Sequence, residues 1–426
     1  MASWHDFGLR QSPYDVRPLR STREGSELLV GRDEEARRLS DHLKSSTTHA
    51  TIEGDFGVGK TSLASVVAYR LRRAFIEQGG PPFLPLQRRP FQPDERDTNE
   101  GFAKLVILEL ASTLAQNEKV LKEAGYTFPS MASIRRSIEN AEYHGTGIGS
   151  AILGFGGNFF RSSSPNTSDL FTEAGVPLFV DKCLSQCFPD HATGGVICIL
   201  DNLEMLEKSP EHKVMLESLR DTVFGQEGLH WVMCGTDHVI RTVVSTPMLQ
   251  GRLAEPISLQ PISDDYIGEL VARRINFYSD GRRSPNPPVG DEEFRHIYEQ
   301  TGRHLRQALK AAEDFTRDCG DAILHGNGES RIKILDRWLR EQATRYYNSA
   351  SARVTSRAWQ VFAQLAQSGG RCTYSQYKEF NLRTAGAMRD QIQILKNAGL
   401  VEIETIQNRH SASITSKGWW VALHFS

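Results

Sequence analysis

The chain has 426 residues, with 50 Lys and Arg against 52 Asp and Glu and a hydrophobic content of 39%. This length exceeds what one hydrophobic core supports and indicates two or three domains, while the composition is ordinary for a globular protein. No apolar run approaches the roughly 18 residues that a membrane span requires, and the first residues lack a signal pattern, so we expect a cytoplasmic protein without a membrane partner.

The first predicted elements lead up to a phosphate-binding motif. Residues 1–28 carry two prolines and several arginines without a clear period, which predicts an extended N-terminal arm. Residues 28–35 open a helix that runs to about Leu43, and residues 49–53 form a short buried strand. Residues 54–61 then read G-D-F-G-V-G-K-T, which completes the pattern G-x-x-x-x-G-K-[ST], and a helix begins at Ser62.

Each fixed position of this phosphate loop has a mechanical role in holding a nucleotide. The glycines allow the backbone to curl so that its N–H groups point at phosphate oxygens at a helix N-terminus. Lys60 reaches the β- and γ-phosphates, and the Thr61 hydroxyl ligates Mg²⁺. The motif predicts ATP or ADP with Mg²⁺ as ligands. The residues predicted to contact them are Gly54, Asp55, Phe56, Gly57, Val58, Gly59, Lys60, Thr61 and Ser62.

Apolar runs that alternate with helical segments follow the phosphate loop. Residues 83–86, 196–200, 230–235 and 256–259 read as buried strands, which predicts a three-layer α/β core with a parallel sheet over residues 29–262. An insertion at about 118–190 includes a glycine-rich segment at 145–157. That segment fits a disordered loop, a hairpin that lines an oligomer pore or a partner surface, or a membrane-active segment.

The C-terminal part changes character twice. Residues 263–348 are almost wholly helical and predict an all-α lid. In residues 349–426 we expect helices at 356–367, 374–380 and 384–398, followed by strands at 400–404 and 412–415 around a turn at 408–410. Three helices and a hairpin in this order are typical of a winged helix-turn-helix.

An acidic pair follows the most apolar strand. Asp201 comes directly after residues 196–200, and Glu204 follows three residues later. A carboxylate at the carboxyl end of such a strand faces the phosphates, where Asp201 can hold Mg²⁺ through water and Glu204 can act as general base for the attacking water. The alternative interpretation is a helix cap formed by Asp201 or Asn202.

Together these motifs resemble the AAA+ superfamily of P-loop ATPases over roughly residues 28–315. The order of core, lid and winged helix is similar to the origin-recognition and replication-loader branch and to the STAND-like signalling ATPases. The resemblance implies that Val30, Gly31 and Arg32 lie beside the adenine. Two features depart from the pattern: Asn202 stands where many members carry a second acid, and no family motif covers the insertion.

The resemblance also implies three polar residues around the phosphates. Thr236, after the strand at 230–235, resembles sensor 1, and Arg306, at the start of a lid helix, resembles sensor 2. A planar cation there stabilises charge that develops on the γ-phosphoryl group. Arg252 lies where members often keep an arginine finger for a neighbouring subunit, which implies a homo-oligomer, although Arg252 also fits ordinary surface. Neighbouring Arg303 fits a solvated surface residue.

The C-terminal tail carries an excess of positive charge. Residues 351–426 contain nine Lys and Arg against four Asp and Glu, which favours an anionic partner such as double-stranded DNA. The candidate contacts are Arg389, Gln393 and Lys396 on the third helix, facing a major groove, and Arg409 and His410 at the wing tip. The alternative is a winged helix that binds a protein or its own ATPase core.

Two hypotheses follow for the whole chain. In the first, the protein is an ATP-hydrolysing switch or motor whose winged helix engages DNA. In the second, it is a STAND-like signalling or defence ATPase with slow hydrolysis, in which the winged helix and the insertion regulate a protein effector. A metabolic kinase is disfavoured because a helical lid followed by a winged helix is rarely needed for that chemistry.

Overall fold

The computed structural model describes residues 2–86, 90–92, 99–127, 176–204, 223–244, 249, 251–325, 329–406 and 409–425. Contacts divide the chain into two compact units. The sheet unit comprises residues 18–55 and 59–259, and the C-terminal unit comprises residues 1–17, 56–58 and 260–426.

The sheet unit is built on five parallel strands in the order β2-β3-β4-β1-β5. Every residue of the first four strands is buried, as expected for a parallel sheet covered on both faces. This architecture confirms the predicted three-layer α/β core. The strands are β1 (Ala50–Gly54), β2 (Phe83–Pro85), β3 (Gly195–Leu200), β4 (Leu229–Gly235) and β5 (Ile257–Leu259).

Six helices are described in the sheet unit. Helix α3 packs its apolar residues on β1 to β4, and α4 packs against α5 over the largest apolar cluster. Helix α4 is the longest of the six, with 25 residues. The helices are α1 (Arg23–Leu28), α2 (Asp33–Ser45), α3 (Lys60–Gln78), α4 (Asn99–Glu123), α5 (Val176–Cys187) and α6 (Asp237–Val244).

The strand order brings three chain segments to one edge of the sheet. Strand β4 lies between β3 and β1, with Cys198 opposite Trp231 and Ile52 opposite Cys234. Because the strands are parallel, the residues that follow β1, β3 and β4 emerge at the same carboxyl edge. Ligands of open α/β sheets bind at this edge.

The C-terminal unit begins with four helices that correspond to the predicted lid. Tyr298 and Phe294 are buried among them, and the Tyr298 hydroxyl donates to Ile262 O at 3.0 Å. The helices are α7 (Ile267–Tyr278), α8 (Asp291–Gln300), α9 (Leu305–His325) and α10 (Arg331–Ser351).

Residues 1–17 fold against these helices. A 3-10 turn spans Trp4–Phe7, and Phe7, Leu9 and Tyr14 are buried. The buried Arg274 donates to Pro13 O at 3.1 Å and to Asp15 O at 3.2 Å. The predicted extended arm is therefore wrong for this turn, and also for α1, because scattered apolar residues find partners that are distant in the chain.

The rest of the C-terminal unit has the winged-helix order. Its core includes Trp359, Phe362, Ile392 and Leu395. A three-stranded antiparallel sheet in the order β6-β8-β7 completes it. The elements are α11 (Ser356–Gln367), β6 (Arg371–Thr373), α12 (Ala385–Asn397), β7 (Val401–Ile406), β8 (Arg409–Ile414) and α13 (Ser416–Ala422).

Two local predictions in the winged helix are wrong. The predicted helix at 374–380 is a 3-10 turn, Tyr374–Gln376, followed by turns that end at Asn381 with a φ of 53°. A segment of seven residues forms an α-helix only where tertiary packing stabilises it, as in α13, whose Trp420 and Val421 are buried. Arg409 and His410 belong to β8, opposite Ile406 and Thr405, rather than to the turn.

The central part of the predicted insertion, residues 128–175 with the glycine-rich segment 145–157, lies outside the described residues. The domain bounds inferred from the sequence remain predictions. Over the part of the chain that the structure describes, no helix has both the length and the hydropathy of a membrane-spanning segment.

Candidate nucleotide-binding site

The phosphate loop joins β1 to α3, as the motif predicts. Lys60 is the first residue of α3 and is only 7% exposed. Its Nζ donates to Gly54 O at 2.8 Å and to Asp55 O at 3.0 Å, the two carbonyls at the start of the loop. The ammonium group therefore lies within the loop, where a phosphate oxygen can replace a carbonyl as its acceptor.

Thr61 and Asp201 meet at the carboxyl edge of the sheet. The Thr61 hydroxyl donates to Asp201 Oδ2 at 2.7 Å across 140 positions of sequence. Asp201 is 6% exposed and follows β3 directly, and its N–H donates to Phe91 O at 2.8 Å. The carboxylate is thus directed at the metal-side residue of the loop, which is the contact that the nucleotide hypothesis predicts.

Glu204 lies beside this pair with one oxygen unsatisfied. Among the described residues, its buried Oε2 has no hydrogen-bond partner. Burial raises the pKa of the Glu204 carboxyl, with a further contribution from Asp201. The charge of Lys60 and backbone hydrogen bonds from Glu204 itself and Thr236 oppose that rise. A buried carboxyl with a raised pKa binds a proton more readily than an ordinary glutamate, which makes Glu204 a candidate general base.

Asn202 separates the two acids and has a left-handed backbone, with a φ of 60°. Asn adopts this conformation more readily than most residues. The local turn therefore gives a physical reason for the amide at this position.

The donor set fits a nucleotide phosphate with Mg²⁺. Mg²⁺ takes oxygen ligands, and the Thr61 hydroxyl and Asp201 carboxylate supply two adjacent oxygens. A Cβ added at Gly59, where φ is 106°, would meet nothing within 4 Å, so the loop leaves space beside it. The orphaned Glu204 oxygen at the same edge is a further acceptor that a water can satisfy.

The structure also brings an ion pair to the end of β1 that the sequence interpretation missed. Glu53 is 1% exposed, and its oxygens accept from Arg241 of α6 at 2.6 Å and 3.0 Å. Glu53 precedes the phosphate loop directly. The signal was an acidic residue inside an otherwise apolar strand, which requires a buried partner.

The segment predicted to lie beside the adenine opens α2. Val30 and Arg32 are buried, Gly31 has a φ of 65°, and Arg32 donates to Glu35 Oε1 at 3.1 Å. Helix α2 packs against α3, the helix that begins at Lys60. The adenine role of this segment stays a prediction.

Thr236 belongs to the sheet unit and Arg306 to the C-terminal unit. Thr236 follows β4, close enough to Glu204 for its backbone N–H to oppose the rise in the pKa of that carboxyl. Within the C-terminal unit, a Cβ added at Gly57 would lie 2.9 Å from the Cβ of Arg306. The second residue of α9 therefore lies against the tip of the phosphate loop, whereas the exposed Arg303 pairs with Asp264 at 2.6 Å.

Arg252 lies at the amino end of the sheet, opposite the end at which Asp201 and Thr236 follow their strands. Its side chain is exposed, and its carbonyl accepts from the His49 N–H at 2.8 Å. His49 precedes β1, so Arg252 lies near the amino end of the strand, about 16 Å along it from Gly54, the first residue of the phosphate loop. The structure does not bring Arg252 to the loop of its own chain.

The predicted DNA-contacting residues lie partly on one face. Arg389, Gln393 and Lys396 are all exposed on α12, and His410 is exposed on β8. The His410 ring stacks on Tyr374 with centroids 5.2 Å apart, and Arg389 is close enough to lower the pKa of Tyr374, which burial raises. Sequence reasoning missed Tyr374. The side chain of Arg409 lies outside the described residues.

No family model matches the chain, and no curated protein matches it either. Among solved structures, the chain is similar to the Orc1 protein of Aeropyrum pernix, determined in complex with DNA. The identity is 14%, the match covers 97% of this chain and 96% of that one, and the TM-score is 0.45. It is also similar to Cdc6p from Pyrobaculum aerophilum at 15% identity, with coverage of 100% and 97% and a TM-score of 0.35. At these values the likeness carries no argument, and the function is inferred from the residues themselves.

Proposed function

We propose that the protein is an ATP-binding and ATP-hydrolysing switch of the AAA+ class, and that its winged helix binds double-stranded DNA. The observation that carries the proposal is the hydrogen bond between Thr61 and Asp201, beside a lysine held inside a phosphate loop. Two oxygen ligands and a buried ammonium at the carboxyl edge of a parallel sheet suit a metal-bound triphosphate.

In this proposal each residue of the site has a separate role, set by its charge and its position. Lys60 and the loop N–H groups hold the phosphates, and Thr61 and Asp201 hold Mg²⁺, which supplies charge neutralisation when bound. Glu204 accepts a proton from the attacking water. Thr236 and Arg306 complete the polar surroundings of the γ-phosphate as sensors 1 and 2.

The winged helix supplies the DNA contact in this proposal. Arg389, Gln393 and Lys396 share the exposed face of α12, and the stacked pair of His410 and Tyr374 adjoins that face. Positive charge on a helix that can enter a major groove supports duplex DNA as the partner. Arg409, which precedes His410 in the chain, remains a predicted DNA contact.

Assembly is a further part of the proposal. Arg252 is exposed near the amino end of β1, away from the carboxyl end that leads into the phosphate loop, so we expect it to act on the nucleotide of a neighbouring copy, as an arginine finger does. Mass measurement with and without ATP and DNA tests this: assembly that needs both, and ATP turnover that falls in Arg252→Ala, support it.

Lys60→Ala tests the nucleotide function. The variant removes the buried ammonium and is expected to lose ATP turnover entirely. Lys310→Ala is the matched control because it removes a surface lysine that pairs with Asp314. Turnover by Lys60→Ala at the wild-type rate would contradict the proposal.

A salt titration of duplex binding tests the DNA function. Affinity is expected to fall steeply with salt, and the double variant Arg389→Ala/Lys396→Ala should lower the slope by about two phosphate contacts. The control Lys310→Ala/Arg317→Ala makes the same charge change on α9. The absence of duplex binding at low salt would instead support an ATPase that regulates a protein effector.

A further inference from the structure

Trp419 of α13 lies between two glycines that belong to different parts of the C-terminal unit. A Cβ added at Gly302, in the turn between α8 and α9, would lie 2.4 Å from Trp419 Cε2. A Cβ added at Gly370, between α11 and β6, would lie 2.5 Å from Trp419 Cζ2. Both glycines have left-handed backbones, with φ of 66° and 78°. The half-buried indole therefore fills space that only glycine leaves open on both sides.

On its winged-helix side, α13 and its cap residue are hydrogen-bonded to the residues that follow α12. The Thr415 hydroxyl, which caps α13, donates to Gly399 O at 2.7 Å, and the Thr415 N–H donates to Leu400 O at 2.9 Å. Lys417 Nζ donates to Ala398 O at 3.2 Å. The three residues that follow α12 thus accept three hydrogen bonds from Thr415, the N-cap of α13, and from Lys417 of α13.

On its lid side, the indole contacts the turn that orients Arg306. Gly302 and Arg303 close this turn with hydrogen bonds to Glu299 O at 3.1 Å and Tyr298 O at 2.8 Å. Arg303 is held with a φ of 60° and is pinned by its pair with Asp264. Helix α9 starts two residues later, so the direction of its first turn, which contains Arg306, follows from this geometry.

The two connections are continuous. From the C-terminal end of α12 the contacts run through Thr415 to Trp419 and from Trp419 to Gly302. The turn at Gly302 then leads to Arg306, which lies beside Gly57 of the phosphate loop. All of these residues belong to the C-terminal unit. A tightly packed chain of this kind transmits a change at one end because its members have little room to adjust separately.

We propose that Trp419 is a positioning residue that couples DNA binding by the winged helix to nucleotide binding through Arg306. Duplex DNA on α12 holds α13 in place, Trp419 then holds the 301–304 turn, and Arg306 stays at the loop. DNA consequently tightens ATP binding, and by thermodynamic reciprocity ATP tightens DNA binding by the same factor. This inference rests on the proposed function.

The test measures the Kd of a fluorescent ATP analogue with Mg²⁺, with and without saturating short duplex DNA. Wild-type protein is expected to bind the analogue about fivefold or more tightly with DNA present. Trp419→Leu should bring this ratio close to one while each ligand alone binds within about twofold of wild type, and Trp419→Phe should restore part of the ratio. Gly302→Ala, whose methyl group displaces the indole, should also lose it.

Trp420→Phe is the matched control. Trp420 lies next to Trp419 on α13 but contacts Trp338 and Tyr346 of α10, with centroids 5.9 Å and 5.7 Å apart. The control should lower the melting temperature but keep the wild-type ratio of the Kd values without and with DNA. It therefore separates the coupling of the two ligands from the stability of the packing between α13 and α10.

Two results would overturn the inference alone: wild-type protein that binds both ligands with a ratio of one, or folded Trp419→Leu that keeps the wild-type ratio. Wild-type protein that binds no nucleotide or no duplex would overturn the proposed function together with the inference.

Discussion

Titratable groups are buried at both the amino and the carboxyl edge of the central sheet, but their hydrogen bonding differs. At the amino edge, burial lowers the pKa of His49 and of His230 to about 4. His49 Nε2 lies 2.7 Å from Phe224 O and its Nδ1 accepts from the Trp231 N–H, while His230 Nε2 lies 3.2 Å from Gly194 O. At the carboxyl edge, burial raises the pKa of Glu204, yet its Oε2 has no partner among the described residues.

A shifted pKa is therefore shared by both edges and does not distinguish them. The distinguishing observation is hydrogen-bond satisfaction. Each of the two histidines has its Nε2 within hydrogen-bond distance of a backbone carbonyl, and the Nδ1 of His49 also accepts, which is a structural arrangement. Glu204 has an unused oxygen next to a lysine, a threonine and an aspartate that share the phosphate-loop chemistry, which is the arrangement of a site prepared for a ligand.

The largest expected effect is a loss of ATP turnover when Glu204, at the carboxyl edge, is changed. Glu204→Gln removes the proton acceptor and keeps the shape of the side chain, so ATP turnover should fall by about 10² or more while nucleotide affinity changes little. Binding and turnover measured on the same preparation check this.

The pH dependence of wild-type turnover gives a second measurement of the same residue. The base must be ionised, and its pKa is raised, so the rate should fall with decreasing pH at a higher pH than an ordinary glutamate predicts. Asp33→Asn, at the exposed start of α2, is the control. Equal turnover by Glu204→Gln and wild type would remove Glu204 from the catalytic role.

The fold was largely predictable because its signals are local. The phosphate loop, the apolar strands and the amphipathic helices of the winged helix each show a period or a motif within a few residues. The strand positions and helix α11 were accordingly predicted closely. Seven residues at 374–380 carry too little periodicity to distinguish a helix from consecutive turns.

The site was predictable only where residues follow strands. Asp201 was predicted because a carboxylate that follows a buried parallel strand lies at the carboxyl edge of the sheet, whereas Thr236 was predicted from the family resemblance. The Glu53–Arg241 pair, the stacking of Tyr374 on His410 and the contact of Trp419 with Gly302 join residues that are distant in sequence and follow no motif. Such pairs depend on the tertiary packing, which one sequence does not specify by period or spacing.

A smaller effect concerns the amino edge. Because the folded pKa of each histidine is lowered from 6.5 to about 4, the unfolded chain binds more protons at mildly acidic pH. Stability from these groups is complete above pH 6.5 and is lost as pH falls towards 4, by up to about 3 kcal/mol per histidine.

Urea unfolding between pH 7.5 and 4.5 measures this loss. His49→Leu should be less stable than wild type at neutral pH, because it loses two hydrogen bonds, and should show a shallower loss on acidification. His325→Gln, at the exposed end of α9, should match the wild-type pH profile. An unchanged profile in His49→Leu would mean that the pKa of His49 is the same in the folded and the unfolded chain, which would contradict the prediction.

The smallest expected effect tests whether the Glu53–Arg241 pair is structural or acts on the nucleotide. Arg241 is 67% exposed whereas Glu53 is 1% exposed, so the loss of Arg241 leaves a buried acid that solvent reaches poorly. Arg241→Ala should cost about 1 to 2 kcal/mol of unfolding free energy, and adding Glu53→Gln should recover part of that loss, because an amide tolerates burial better than a lone carboxylate. If the pair is structural, like the histidines, both variants bind the ATP analogue within about threefold of wild type. A loss of nucleotide affinity in Arg241→Ala that Glu53→Gln does not repair would instead place Arg241 among the residues of the carboxyl edge that act on the nucleotide.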